Sequence, residues 1–594
     1  MNANQPQKIA ACRLKFADTK STETPRRESR LYSCILTALV IGLAASCAAD
    51  EFSKVDCDAS ALPQEKRFIS DLFSSRIEVR TPPSDSARTL GVGFALDSSI
   101  PGDDASIVVK DGRAMITAGR FRGIVQGAGA LLRRIRYGAK TFAIEDGEFS
   151  FAPKKDFRMV YFARHFHNWY HHASADGLKE YVDDLALAGH NSFSYQYVYP
   201  VFNLAGAEEA ELRRFAGVSK KVYDRIRALD CMLRQSGGGN RAPKNSPEKF
   251  RGTPNSDPKR GNAGFNVCPA KPGAMDFLIE QRKRQIASYP AGFRADFVQY
   301  WPFDEGGCEC ETCKPWGGNG FLKMIERFAP MDKAAFPGAK TIISTWTFHD
   351  DDWAGLYKWL ETHDIADYLL VDSHGDFPKY PLEHPVPKNI PIVTFPEISM
   401  WGRDYWGAYG AIAMPKRFFR LFHQAERISS GFVSYSEGRY EDINKEFVAG
   451  LYVNPSATIE ELLRTYASFY FPGTDPEDFV KICDLFEANH VFPGNHYRPD
   501  FRDVPEDSEE LAVYRRRAAE SCRIADRMQA MMLPAFRDSW RWRMVFLRAM
   551  IDREILAERA TVIGRSPEPK PDSAKAYYEE LSEISRGPDW VWHP

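Results

Sequence analysis

A chain of 594 residues exceeds one ordinary domain, so two or three are expected. Its 44% hydrophobic and 27% charged residues exclude a disordered chain. A net charge of −2 excludes the strong field that a nucleic-acid partner draws on. Aromatic residues make up 13% and include 12 Trp and 25 Tyr, which suits stacking on sugar rings and suits a large core equally well. Arg26, Arg27 and Arg30 precede an apolar run over 31–45 and then Ala44-Ala45-Ser46-Cys47-Ala48-Ala49. That pattern predicts an export signal over 1–49. The apolar run, about 15 residues, is too short for a membrane span. Two readings stay open: a lipidated Cys47 that attaches the chain to a membrane, or cleavage near Ala49. Either makes the protein exported, as a periplasmic, outer-membrane lipoprotein or secreted form, in an oxidising compartment.

Residues 50–155 read as a small α+β domain. The runs 76–80 (RIEVR), 91–96 (GVGFAL), 106–110 and 114–117 alternate as strands, with Asp111-Gly112 as the turn between the last two. Apolar residues at helical spacing predict a helix over 121–135 (FRGIVQGAGALLRRI). The succession of strand, Asp-Gly turn, strand, R-G-x-x-x-G and a helix carrying Leu131-Leu132 resembles the non-catalytic domain that precedes the barrel in family 20 hexosaminidases and family 67 glucuronidases.

From Phe157 strands and helices alternate. Strands are expected at 158–166, 192–198, 231–235, 295–303, 341–348, 368–372, 392–397 and 431–435, with helices at 175–188, 209–229, 274–288, 321–328, 353–362 and 416–428. Eight such units predict an α/β fold, a (β/α)8 TIM barrel over 156–455. Residues 237–267, rich in Gly, Pro, Asn and Lys, read as a long loop over its mouth. Past Asn454-Pro455 the pattern turns helical, at 458–469, 475–488, 507–532 and 539–559, predicting a C-terminal bundle over 456–594. Within it, 564–574 is a linker to a last short helix.

A barrel presents its chemistry at the C-terminal ends of its strands. The residues expected there are Arg164, His165, Gln196, Gln235, Asp304, Glu305, Trp346, Asp372, Glu397 and Glu437, acid-rich and without a Ser-His-Asp order. Glycosidic cleavage needs a carboxylic acid to protonate the leaving oxygen and a second group to stabilise the oxocarbenium-like centre. Asp304 and Glu305, closing the fourth strand in ADFVQYWPFDEGGCECETC (295–313), are the leading catalytic pair, with Glu437 as a further catalytic carboxylate. Arg164, His165, Gln196, Trp346, Asp372, Glu397, Trp401 and Tyr435 are candidate substrate contacts. Salt bridges for the acids and core packing for the tryptophans are the competing readings. His165, His167, His171 and His172 lack an H-E-x-x-H frame, so they read as a polar loop rather than a metal site.

The Asp304-Glu305 pair resembles the Asp-Glu pair that family 20 β-N-acetylhexosaminidases carry at the fourth strand end. The resemblance implies that Glu305 is the general acid, that Asp304 holds the substrate's acetamido group as internal nucleophile, and that catalysis needs no cofactor. Family 20 has His and Gly-Gly before its pair; here Tyr300-Trp301-Pro302-Phe303 precede it and the glycines follow. The run D-E-G-G-C-x-C-x-x-C also resembles exported bacterial proteins with an uncharacterised barrel domain, some of them family 163 endo-β-N-acetylglucosaminidases. A glycan substrate is thus the expected partner. The alternatives are an α-glucuronidase-like enzyme, with Arg164 on the carboxylate, and a non-catalytic carbohydrate-binding lipoprotein.

Cys308, Cys310 and Cys313, with Cys268 as a fourth ligand, have the spacing of a structural zinc site. A disulfide among them is the other reading for an exported chain.

Overall fold

Eight short runs of apolar and β-branched residues pair in parallel and close on themselves. They are Phe157–Phe162, Ser192–Tyr195, Met232–Ser236, Phe297–Tyr300, Lys340–Ser344, Tyr368–Asp372, Ile392–Phe395 and Ser429–Ser436. The last strand pairs with the first, Gly431 opposite Phe157 and Ser436 opposite Phe162, which makes the sheet a TIM barrel. This computed structural model describes residues 50–81, 88–164, 168–198, 209–243, 246–254, 265–302, 307–398, 411–489, 505–558 and 572–586, all within one compact unit.

Side chains alternate along each strand, so every second residue enters the barrel. Phe157, Phe297 and Tyr368 meet near its base, with ring centroids 5.0 to 6.0 Å apart. Met159, Ile342, Leu370, Val393 and Val433 belong to the same interior cluster. The opposite faces meet the helices Ala175–Leu187, Glu209–Ala228, Ala274–Ala287, Phe321–Ala335, Asp350–Thr362, Pro415–Ala425 and Asp442–Val453. Between the sixth and seventh strands the described chain has no long helix, only the short turns Tyr380–Glu383 and Pro387–Asn389.

Before the barrel lies a seven-stranded mixed sheet. Its spatial order is Arg136–Tyr137, Phe142–Ile144, Asp50–Asp58, Arg88–Leu96, Arg113–Ala118, Ala105–Lys110, Gly147–Phe151. Asp111 and Gly112, at φ 50° and 75°, make the tight turn expected of them. The strand expected over 76–80 is instead part of a helix, Ile69–Glu78. Ile69, Leu72, Phe73 and Ile77 recur at helical spacing on one buried face, and that longer period overrides the five-residue alternation.

The helix Phe121–Leu132 lies between this sheet and the barrel. A Cβ on Gly129 would stand 1.8 Å from the Leu187 carbonyl oxygen, so only glycine permits the approach. Buried Asp103 accepts hydrogen bonds from Arg122 (2.7 Å), Arg158 (3.0 Å) and Asn191 (2.9 Å), joining the sheet to the first two barrel strands.

After the barrel come the helices Ile459–Tyr470, Pro476–Asn489, Glu509–Met531, Trp540–Glu558 and Lys575–Arg586. Arg541 ties the fourth of these to the barrel layer through Asp442 (2.7 Å) and Asp184 (3.0 Å). Among the described residues no helix is long and apolar enough to cross a membrane.

Candidate functional site

The alternation that fills the barrel also decides which strand-end residues reach its mouth. On the fourth strand Phe297, Gln299 and Trp301 face inward, whereas Tyr300 faces the helices and donates its hydroxyl to Asp332 (2.7 Å). Trp301 stacks on Trp346 at 5.4 Å and 29°, and Phe395 stands edge-on to both. Tyr435 continues this wall, edge-on to Phe395 and Tyr161. The result is an aromatic wall at the C-terminal ends of the fourth, fifth, seventh and eighth strands.

Three carboxylates stand on three consecutive strands. Asp372 ends the sixth; burial pushes its carboxyl up to about 6, Glu397 adds to the rise, and His374 and its own amide oppose it. The His374 amide donates to Asp372 Oδ1 (2.9 Å). Glu397, beyond the seventh strand, is 2% exposed and pairs with His374 Nδ1. Arg417 donates to the carbonyls of Glu397 and His374, clamping both strand ends from outside. Glu437, beyond the eighth strand, accepts a 2.6 Å hydrogen bond from Tyr435. Its amide donates to Glu441 (3.1 Å). Behind it the buried Lys445 donates to Tyr170, Ser436 and the Gly438 carbonyl, fixing the turn that carries Glu437.

Lower in the barrel is a buried cation. Arg234 of the third strand donates to Gln299 (2.9 Å) and Ser194 (2.8 Å), and its guanidinium lies 4.9 Å from the Tyr161 ring. Arg234, Trp301 and His374 were not among the sequence candidates. Alternation along the third strand, with Met232, Arg234 and Ser236 on one face, was the signal for the first of them.

Two candidates are corrected by the same rule. Ala163 belongs to the interior cluster, so its neighbour Arg164 faces outward. Arg164 is fully buried, donates to the Tyr170 and Gln196 carbonyls and to Ser219, and stacks on Phe215, so it braces the helix layer instead of contacting substrate. Gln235 likewise faces the helices, bonded to the Tyr195 carbonyl and to Tyr289. Gln196 is half-buried at the end of the second strand. His171 is held by the Arg164 carbonyl and Glu211.

Asp304, Glu305, His165, His167 and Trp401 lie outside the described residues. The chain on both sides of 303–306 is anchored. Trp316 Nε1 donates to the Pro302 carbonyl (3.0 Å). Gly307 has φ +72°, and a Cβ there would stand 1.9 Å from the Trp316 ring. Cys308, Cys310 and Cys313 follow, and their sulfurs and that of Cys268 lie within 4.8 Å of one another. A separate cleft of about 640 Å³, lined in part by Arg133, Lys154, Glu446 and Glu461, sits beside the N-terminal end of the barrel and contains none of the candidates.

No family model matches the chain, and no curated protein matches its sequence. Solved structures do share its fold. A family 89 glycoside hydrolase from Clostridium perfringens, in complex with PUGNAc, superposes at TM-score 0.57 with 12% identity, over 83% of this chain and 60% of that one. A family GH115 4-O-methyl-α-glucuronidase with specificity for decorated arabinogalactans superposes at 0.54 with 10% identity, over 90% and 76%. A GH138 enzyme targeting pectin rhamnogalacturonan II superposes at 0.51 with 9% identity, over 90% and 74%. At these identities the likeness is one of fold.

Proposed function

We propose that this chain is an exported glycoside hydrolase acting on β-linked N-acetylhexosamine. The observation that carries the reading is the mouth itself. Stacked Trp301 and Trp346 offer a platform for a sugar ring, and half-buried Asp372 with buried Glu397 and Glu437 stand at the ends of the three strands beside it. The similarity in fold to glycoside hydrolases of families 89, 115 and 138 supports the class.

The catalytic roles rest on the sequence of 303–306. Glu305, protonated, gives its proton to the glycosidic oxygen as the bond to the anomeric carbon breaks. The substrate's acetamido oxygen, oriented by Asp304, attacks that carbon from the other face. Water, deprotonated by Glu305, then opens the cyclic intermediate with net retention. Export rests on the sequence of 1–49, with Cys47 as the lipidation candidate.

A panel of aryl glycosides and glycans tests the substrate class. Glu305→Gln should abolish turnover of substrates with poor leaving groups and spare activated aryl glycosides. Asp304→Asn should impair both, and a thiazoline should inhibit the parent. If both variants stay within a few-fold of the parent, the catalytic acids are elsewhere, with Glu437 and Glu397 next.

A second reading is a uronide hydrolase. Arg164, the residue that first suggests it, faces the helices, but Arg234 places a fixed cation below the mouth where a uronate carboxylate would be drawn. Cleavage of uronosides alone in the same panel would select it. Glycan binding without turnover, unchanged by Glu305→Gln, would select a non-catalytic binding protein.

A further inference from the structure

Four cysteines meet at the rim of the barrel mouth, and they come from two different loops. Cys268 ends the segment that follows the third strand, just past the two-stranded ribbon Arg241–Ala242 and Phe265–Asn266. Cys308, Cys310 and Cys313 lie in the loop after the fourth strand. Cys268 Sγ is 3.7 Å from Cys310 Sγ and 3.8 Å from Cys313 Sγ. None of the four is joined to another cysteine by a disulfide. A disulfide requires sulfurs about 2.05 Å apart. Four thiolates on a tetrahedral zinc, each at about 2.3 Å, have sulfurs about 3.8 Å apart. The distances from Cys268 to Cys310 and Cys313 are those of the second arrangement, and all four sulfurs lie within 4.8 Å of one another.

The surroundings fit a metal as well. The Thr253 amide donates to Cys308 Sγ (3.3 Å). Amide donors aimed at sulfur stabilise thiolate over thiol and orient it toward a metal. Cys268, Cys308 and Cys313 are buried, so water is kept from the sulfurs. Within the first loop the Cys268 amide donates to the Phe250 carbonyl (2.8 Å), and the Glu309 amide of the second loop donates to the Thr253 carbonyl of the first (3.1 Å), joining the two beside the cluster.

We propose that Cys268, Cys308, Cys310 and Cys313 hold a structural zinc(II) that clips the loop after the third barrel strand to the loop after the fourth. Four thiolates close the coordination shell, leaving no position for substrate or water, so the metal takes no part in the chemistry. Its role is mechanical. Cys308 stands three residues after Glu305 in the chain, and Gly307 is wedged against Trp316, so the clip anchors one end of the segment that bears Asp304 and Glu305. That last consequence rests on the catalytic reading above; the metal site does not.

Elemental analysis of the purified full-length protein should find about one zinc per chain. Titration with an organomercurial should release that zinc as the thiolates are consumed. Growth with cobalt should give the visible absorption of tetrahedral cobalt thiolate. Cys310→Ser, chosen because Cys310 is the least buried of the four, should lower the zinc content and the melting temperature together. Protein without stoichiometric metal, a mapped disulfide joining any two of the four, or iron in place of zinc each overturns the proposal. Metal content and spectra are read without any sugar substrate, so a glycosidase assay that fails leaves this result standing, and the converse holds too.

Discussion

Buried Asp103 and half-buried Asp372 respond to protons in opposite directions. For Asp103 burial pulls the pKa up, but the guanidiniums of Arg122 and Arg158 outweigh it and hold it below its usual value. Its contribution to stability is therefore present above about pH 4 and lost as pH falls through the lowered pKa. Asp103→Asn should cost about 3–5 kcal/mol at neutral pH, because two buried cations lose their partner. For Asp372 the folded pKa is raised to about 6. Its contribution is full below about pH 4 and is lost as pH rises through about 6. Asp372→Asn should therefore stabilise the fold at pH 8 relative to the parent, by up to about 3 kcal/mol. Urea unfolding of both variants at pH 5 and pH 8 checks the two signs together. Trp346→Ala removes half of the aromatic platform and should raise KM about tenfold, equivalent to about 1.4 kcal/mol, with a smaller effect on kcat.

At the scale of elements, the close contact at Gly129 makes a sharp test. Gly129→Ala would drive a methyl group into the Leu187 carbonyl, separating the two helices at a cost of about 1–3 kcal/mol, read as a lowered melting temperature. The barrel strands were legible in the sequence because each is buried on both faces and bounded by turn residues. The helix Asp442–Val453 was not, because it is buried on nearly all sides and carries Asn444 and Lys445 inside, which erases the apolar stripe. Asp50–Asp58 was missed because its charged residues half-face solvent and its partner strands are distant in sequence. At the mouth, legibility depended on knowing which residue of a pair faces inward. Trp346, Asp372 and Tyr435 lie on the inner face, while Arg164 and Gln235 sit one step off it. A single residue of register reverses the face, and composition alone does not supply that register.

At the scale of the whole molecule, sheet, barrel and terminal helices form one compact unit, and buried charges cross every junction. Asp103 bridges the sheet to the barrel, and Arg541 bridges the last long helices to Asp442 and Asp184. A chain ended at residue 455 would leave Asp442 and Asp184 without that cation and expose the buried faces of the barrel's outer helices. We expect such a truncation to yield no soluble folded protein, and the full chain to unfold in one calorimetric transition. A soluble truncation that melts cooperatively would show the terminal helices to be an independent module.

The pairing of Gly431 with Phe157 has a consequence for how the protein is made. The two residues are about 270 positions apart, so the first strand leaves the ribosome long before its final partner exists. At about 5–20 residues per second, the nascent sheet waits tens of seconds with an open hydrogen-bonding edge. Such an edge recruits other chains. Yield in a heterologous host should therefore depend on chaperone supply and growth temperature more than on the stability of the finished barrel.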